Sequence, residues 1–191
     1  MTDWNKVLQF LEPKMPPFCP EEPSLTQKVF LRTNCMEGLF GGAAGGGKSS
    51  ALLMSALQFV DIPNYSAIIF RRTYADLALP GAIMDRFINW VAPYEDVRWN
   101  ANNYTAVFPS GARVSFGYLN NQQDYLRYKG AEFQFIGMDE VTEIRESDYR
   151  YMFSRMRRPV SGPLSGVPLR MRSACNPAPN WVRQRFIVEG L

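Results

Sequence analysis

Gly41-Gly42-Ala43-Ala44-Gly45-Gly46-Gly47-Lys48-Ser49-Ser50 is the stretch on which the reading of this chain turns. Gly42 through Ser49 fits G-x-x-x-x-G-K-[ST], the pattern of a phosphate-binding loop. Each residue type has a physical reason. Glycines let the backbone turn its N–H groups around an anion, at positive φ where a β-carbon would clash. Lys48 sets a point charge on the β- and γ-phosphates, and the Ser49 hydroxyl is a ligand for Mg²⁺. The following helix aims the positive end of its dipole at the same phosphates. The pattern therefore nominates Gly42, Ala43, Ala44, Gly45, Gly46, Gly47, Lys48, Ser49 and Ser50 as nucleotide-binding residues.

The flanks agree with the loop. Residues 36–40 read as a short buried strand, and residues 50–60 as a helix with apolar residues at helical spacing. Further along, Glu132-Phe133-Gln134-Phe135-Ile136-Gly137-Met138-Asp139-Glu140 reads as a second strand that ends in two acids. Asp139 can hold Mg²⁺, which makes it the other half of a phosphate-loop site. Glu140 follows at once, on the γ-phosphate side, where a carboxylate can orient and deprotonate an attacking water. Residues 169–175 form a further strand, and the Asn176-Pro177 tip carries an amide that can contact the γ-phosphate or the water.

Composition narrows the chemistry. A length of 191 residues suggests one domain, or one with an appendage, and 46% hydrophobic residues suffice for a core. No apolar run approaches the ~18 residues of a membrane span, so no membrane partner is expected. Residues 1–6 lack the regions of a signal peptide. Cys19, Cys35 and Cys175 are odd in number and far apart, which reads as reduced intracellular thiols. There is no histidine, which removes imidazole acid–base work, His-based triads and most zinc chemistry. The net charge of +3 is uneven: residues 145–185 hold nine Arg against Glu146 and Asp148. Arginine-only enrichment suits bidentate contact with phosphate or carboxylate, although a solvated surface reads the same way.

The remaining elements fall into order. Trp4, Val7, Leu8 and Leu11 predict an amphipathic helix over 2–11, and the prolines of 12–23 predict an extended linker. Ser24 with Gln27 predicts a capping box opening a helix to about Arg32. Gln27 has a second reading, as an amide that pairs with both N6 and N7 of adenine. Residues 65–72 read as a buried strand ending in Arg71 and Arg72, residues 73–80 as a loop or short turn, and 82–91 as a helix. Residues 97–99, 104–108 and 112–118 alternate as a β-meander at the sheet edge. Residues 146–157 predict a helix carrying arginines, and 181–187 the start of another.

In this order the motifs resemble the ATPase domain of the large terminase subunit of tailed bacteriophages. The matching stretches are Gln27, 41–49, IIFRRTYADL at 68–77, YKGAEFQFIGMDEVTEI at 128–144, SRMRRP at 154–159 and SACNPAPNWVRQRF at 173–186. The resemblance implies an α/β fold of the additional-strand (ASCE-type) phosphate-loop NTPases. That is a mostly parallel central sheet flanked by helices, with the antiparallel meander at its edge. Residues 1–23 would be an N-terminal helix and Pro-rich linker, and 24–191 the ATPase domain.

The implied function is an ATP-hydrolysing motor that drives double-stranded DNA into a procapsid in the host cytoplasm. It would work as a homo-oligomeric ring on the portal protein, with the small terminase subunit as a further partner. ATP and Mg²⁺ are the implied cofactors. Lys48 and Ser49 would bind phosphate and metal, Asp139 the metal, Glu140 the water, Gln27 adenine, and Ser173–Asn176 would form the coupling motif. The family also uses an arginine finger, often from a neighbouring subunit; Arg71, Arg72, Arg127, Arg155 and Arg157 are candidates, and Lys129 could act only as a point charge.

The family's RNase H-like nuclease has no counterpart in this sequence, so no nuclease activity is expected of it. Another ASCE-type translocase or helicase is the alternative. A GTPase is disfavoured because no N-K-x-D motif follows the loop, and a small-molecule kinase because Glu140 suits water better than a protected acceptor. Intact Lys48, Asp139 and Glu140 argue against a module that only assembles.

Overall fold

The structure, a computed structural model, describes residues 12–15, 18–43 and 45–189. The helix expected over 2–11 and the loop residue Ala44 lie outside the described residues. Among the described residues seven strands form one sheet: β1 (Glu37–Gly41), β2 (Ser66–Arg71), β3 (Arg98–Asn100), β4 (Thr105–Val107), β5 (Arg113–Tyr118), β6 (Phe135–Asp139) and β7 (Arg170–Cys175). Their order is β1-β7-β6-β2-β5-β4-β3. The first five run parallel, and β4 and β3 continue antiparallel from β5 as the expected meander.

The helices are α1 (Leu25–Arg32), α2 (Lys48–Leu57), α3 (Tyr74–Ala78), α4 (Ile83–Val91), α5 (Glu146–Phe153) and α6 (Trp181–Arg183). Side chains of β2 alternate between two cores: Ala67 and Ile69 pack with residues of α1–α4, Ile68 and Phe70 with residues of α5 and α6. Helices on both faces bury the central strands β2 and β6 twice, so Ala67–Phe70 and Phe135–Met138 are continuous uncharged runs. From Ser50 to Leu57 every residue of α2 is buried, the signature of a helix enclosed on all sides.

The described part of 12–23 lies against this domain. Lys14 pairs with Asp61 at 2.7 Å, and the Phe18 ring meets Tyr94 and Phe108 edge-on, each at 4.9 Å.

Several boundaries differ from expectation, for local reasons. The segment 73–80 holds a helix, α3, because Thr73 and Asp76 cap each other through paired side-chain–backbone bonds of 3.2 Å. The helix expected to reach 157 stops at Phe153. Beyond it, Arg155 O accepts from Phe133 N, and Arg157 N donates to Phe133 O, both at 3.1 Å. Satisfying the strand-like backbone at Phe133 outweighs another helical turn. After α6, residues Gln184–Val188 form a π turn.

The arginine-rich third also divides. Arg170 and Arg172 are buried inside β7, not displayed for DNA. Arg172 donates to the carbonyls of Thr33 (2.6 Å) and Cys35 (3.0 Å), and Arg170 to that of Leu31 (3.1 Å) and to Gln58 Oε1 (2.9 Å). The end of α1 leaves carbonyls without helical partners at the negative pole of its dipole, and these two cations satisfy them. Burial lowers the pKa of both guanidiniums, that of Arg172 to about 10.

Candidate active site

The sheet brings the motifs to one rim. β1 pairs with β7 so that Gly41 faces Cys175, and β7 pairs with β6 so that Ala174 faces Asp139. Neighbouring strands stand about 4.8 Å apart, so loop, Asn176 tip and acid pair emerge side by side. β7 lies between the loop strand and the acid strand, which is the insertion that defines the additional-strand class. The chain order changes direction here, and such switch points open a crevice at the carboxyl ends of parallel strands.

In that crevice hydrogen bonds join Lys48 to Asn176 and Ser49 to Asp139. Lys48 is buried, and its Nζ donates to Gly42 O (3.1 Å), Ala43 O (2.7 Å) and Asn176 Oδ1 (3.0 Å). Ser49 Oγ donates to Asp139 Oδ1 at 3.0 Å, and Arg71 Nε to Asp139 Oδ2 at 2.8 Å. Asp139 is 1% exposed, a carboxylate held at both oxygens. Glu140 takes φ 50, ψ 52, a left-handed conformation that costs a non-glycine residue about 1 kcal/mol. That twist turns the chain away from the sheet and leaves the Glu140 side chain in the cavity beside Gly47, Lys48 and Asn176. Among the described residues its carboxylate accepts no hydrogen bond. It lies close enough to Cys175 to help burial push that thiol's pKa up.

The cavity measures about 520 Å³ and is lined by Gly45 through Ser50, Glu140, Asn176, Glu21 and Arg86. Arg86 is not among the residues that the sequence motifs single out. It reaches the loop from α4, with Nη1 donating 2.8 Å to Ser50 Oγ. No motif joins positions 50 and 86; only the packing of α4 against α2 reveals the pair.

Gln27 completes the capping box, with Oε1 accepting from Ser24 N at 2.8 Å. Its Nε2 donates to Gly47 O at 2.9 Å, so α1 also buttresses the phosphate loop. The amide keeps one N–H and one lone pair beyond these bonds.

The arginine candidates separate. Arg71 is bound to Asp139 and to Asp76 O (3.3 Å), and Arg72 is exposed at the same rim. Arg127 pairs with Asp124 at 3.3 Å and stacks over Tyr118. Arg155 and Arg157 flank Phe133, six residues upstream of Asp139 along the strand direction. At ~3.3 Å per residue that is about 20 Å from the site, so within one subunit neither reaches it.

The sequence model of the terminase large subunit, T4likevirus-type, N-terminal, matches residues 39–160. The chain belongs to the terminase large subunit family. No curated protein sequence matches it. Among solved structures it is similar to the large terminase of bacteriophage HK97, with TM-score 0.63 and 12% identity over 92% of this chain and 38% of that one. It is similar to the large terminase of a thermophilic bacteriophage, with TM-score 0.59 and 14% identity over 96% and 41%. The ATPase domain of the Thermus phage P74-26 large terminase gives TM-score 0.59 and 14% identity over 88% and 71%. The chain thus spans about two fifths of the first two terminases. At these identities the likeness is one of fold, and it places the sheet and its flanking helices in the terminase ATPase fold. The second of these terminases has been solved with ATP-gamma-S and with ADP.

Proposed function

We propose that this chain is the ATP-hydrolysing motor domain of a terminase large subunit, driving double-stranded DNA into a procapsid. One observation carries the reading: Lys48, Ser49, Glu140 and Asn176 come from distant parts of the chain and line one cavity, with the buried Asp139 hydrogen-bonded to Ser49. Family membership supplies the packaging context.

The residues divide the work by their chemistry. Backbone N–H groups of 45–49 at the start of α2 receive the phosphates. Lys48 moves from the loop carbonyls to phosphate oxygens, exchanging partial for full negative charge. Ser49 and Asp139 would hold Mg²⁺; two oxygen donors 3.0 Å apart suit a metal that takes few protein ligands beside phosphate and water. That ion supplies charge neutralisation on the β- and γ-phosphates. Arg71 fixes the Asp139 carboxylate. Glu140, whose carboxylate accepts no hydrogen bond among the described residues, orients a water and accepts its proton during in-line attack. Asn176 shares its amide between Lys48 and the γ-phosphate, so loss of that phosphate is felt in the segment leading to α6. The spare N–H and lone pair of Gln27 are the groups with which it would read adenine.

Exposed arginines such as Arg150, Arg157 and Arg183 offer DNA-phosphate contacts. Among the described residues no helix is long and apolar enough to cross a membrane. We place the assembled form on the portal in the host cytoplasm, as a ring of this chain together with the small terminase subunit. Arg72 and Arg127, both exposed, and Arg155 and Arg157 remain fingers for a neighbouring subunit's site.

The test is steady-state ATP hydrolysis with and without duplex DNA at rising salt. Hydrolysis should depend on Lys48, and DNA stimulation should fall steeply between ~50 and ~200 mM salt as phosphate contacts are screened. Hydrolysis unaffected by Lys48→Ala would sink the reading.

A further inference from the structure

Arg86 has a position that the proposed chemistry does not use. It stands on α4, whose Ile83, Met84, Phe87 and Trp90 are buried in the core, so its base is fixed. Its guanidinium lines the same cavity as Lys48, Gly47 and Glu140. Ser50 Oγ accepts one of its N–H groups at 2.8 Å. Four further N–H donors remain on the fork.

Arg86 is also not bonded to a carboxylate among the described residues, although Glu21 and Glu140 line the same cavity. Among the described residues Arg86 forms no ion pair, whereas Arg71, the arginine bound within the acid cluster, is neutralised by Asp139. The sequence neighbour Asp85 is committed to the Gly81 N–H at 2.8 Å. An arginine beside a phosphate loop with no carboxylate of its own is suited to an anion, and its planar fork matches phosphate oxygens two at a time.

The two cations of the cavity approach from different sides. Lys48 folds back over Gly42 and Ala43 toward Asn176. Ser50, two residues on and so about 200° further around α2, holds Arg86 against the other flank.

We propose that Arg86 is a second phosphate ligand of this site, supplied by the same subunit and closing on the nucleotide's phosphate chain opposite Lys48. The proposal rests on the reading of the cavity as an ATP site. Ser50 acts as a positioning residue that presents the guanidinium edge-on.

The experiment is calorimetric binding of ADP and of inorganic tripolyphosphate to wild type, Arg86→Ala, Arg86→Lys and Lys48→Ala, with thermal unfolding of each unliganded protein. A charged hydrogen-bond pair is worth a tenfold to hundredfold change in affinity, roughly. Arg86→Ala should lose about that much for both ligands while unfolding at the wild-type temperature. Arg86→Lys should recover only part, because a lysine cannot fork. If Lys48→Ala weakens binding and Arg86→Ala does not, Arg86 is a structural strut and this proposal alone is overturned. If neither substitution changes the affinity, the ATP reading itself fails and takes the proposal with it. Should Arg86→Ala not fold, Arg86→Gln keeps the Ser50 bond without the charge, and undiminished binding by that variant overturns the proposal equally.

Discussion

Gly47→Ala tests how the phosphate loop is held. Gly47 sits at φ +69, and a β-carbon built there falls 2.6 Å from Gln27 Nε2. Alanine in a left-handed conformation costs roughly 1–2 kcal/mol. The clash also forces the Gln27 amide away, which breaks its 2.9 Å bond to Gly47 O and its 2.8 Å bond from Ser24 N. At about 1 kcal/mol net for each hydrogen bond, the whole cost comes to about 3–4 kcal/mol. In a Gln27→Ala background the bonds are already gone, so only the strain remains. A double-mutant cycle read by urea unfolding should therefore give a coupling of about 2 kcal/mol. Gly45→Ala is the control: Gly45 has φ +81 but open space around its β-carbon position, so it should cost strain alone and show no coupling. Equal costs for Gly47→Ala in both backgrounds would refute the idea that α1 buttresses the loop through Gln27.

Two further outcomes follow from buried polar groups. Arg172→Ala should destabilise the fold by roughly 2–4 kcal/mol in urea unfolding, since the Thr33 and Cys35 carbonyls lose their donor; a shift below ~0.5 kcal/mol would contradict its role at the end of α1. Burial raises the Tyr128 pKa to about 12 from an ordinary 10.0, so its contribution is fully present below pH 10 and is lost as pH rises through about 12. Stability that falls less steeply with alkaline pH in Tyr128→Phe than in wild type would confirm this, and identical profiles would not.

Much of the site was legible because its signals are local. The phosphate loop, the Asp139–Glu140 strand end and the apolar run Ala67–Phe70 each declare themselves within ten residues. What the sequence hid lies in contacts between distant segments. Arg86 meets Ser50 across 36 positions, and no spacing rule connects a helix face to a loop so far upstream. Gln27 turns out to serve as helix cap and loop buttress at once, because α1 packs beside α2. Arg170 and Arg172 counted toward a basic surface when only charge was weighed. Their alternation with Met171 and Ser173 was the available clue, since it puts both on one face of a strand enclosed between parallel neighbours. The helix from 146 stopped early because Phe133, 23 positions before Met156, competes for its backbone.

The claim that matters most is that Glu140 activates the water at a nucleotide bound by Lys48. Single-turnover hydrolysis of Mg²⁺–ATP by Glu140→Gln, paired with equilibrium binding of the same nucleotide, measures it directly. The account predicts affinity close to wild type and a hydrolysis rate lowered by ~10²-fold or more. A variant that hydrolyses at the wild-type rate, or one that no longer binds the nucleotide, would contradict it.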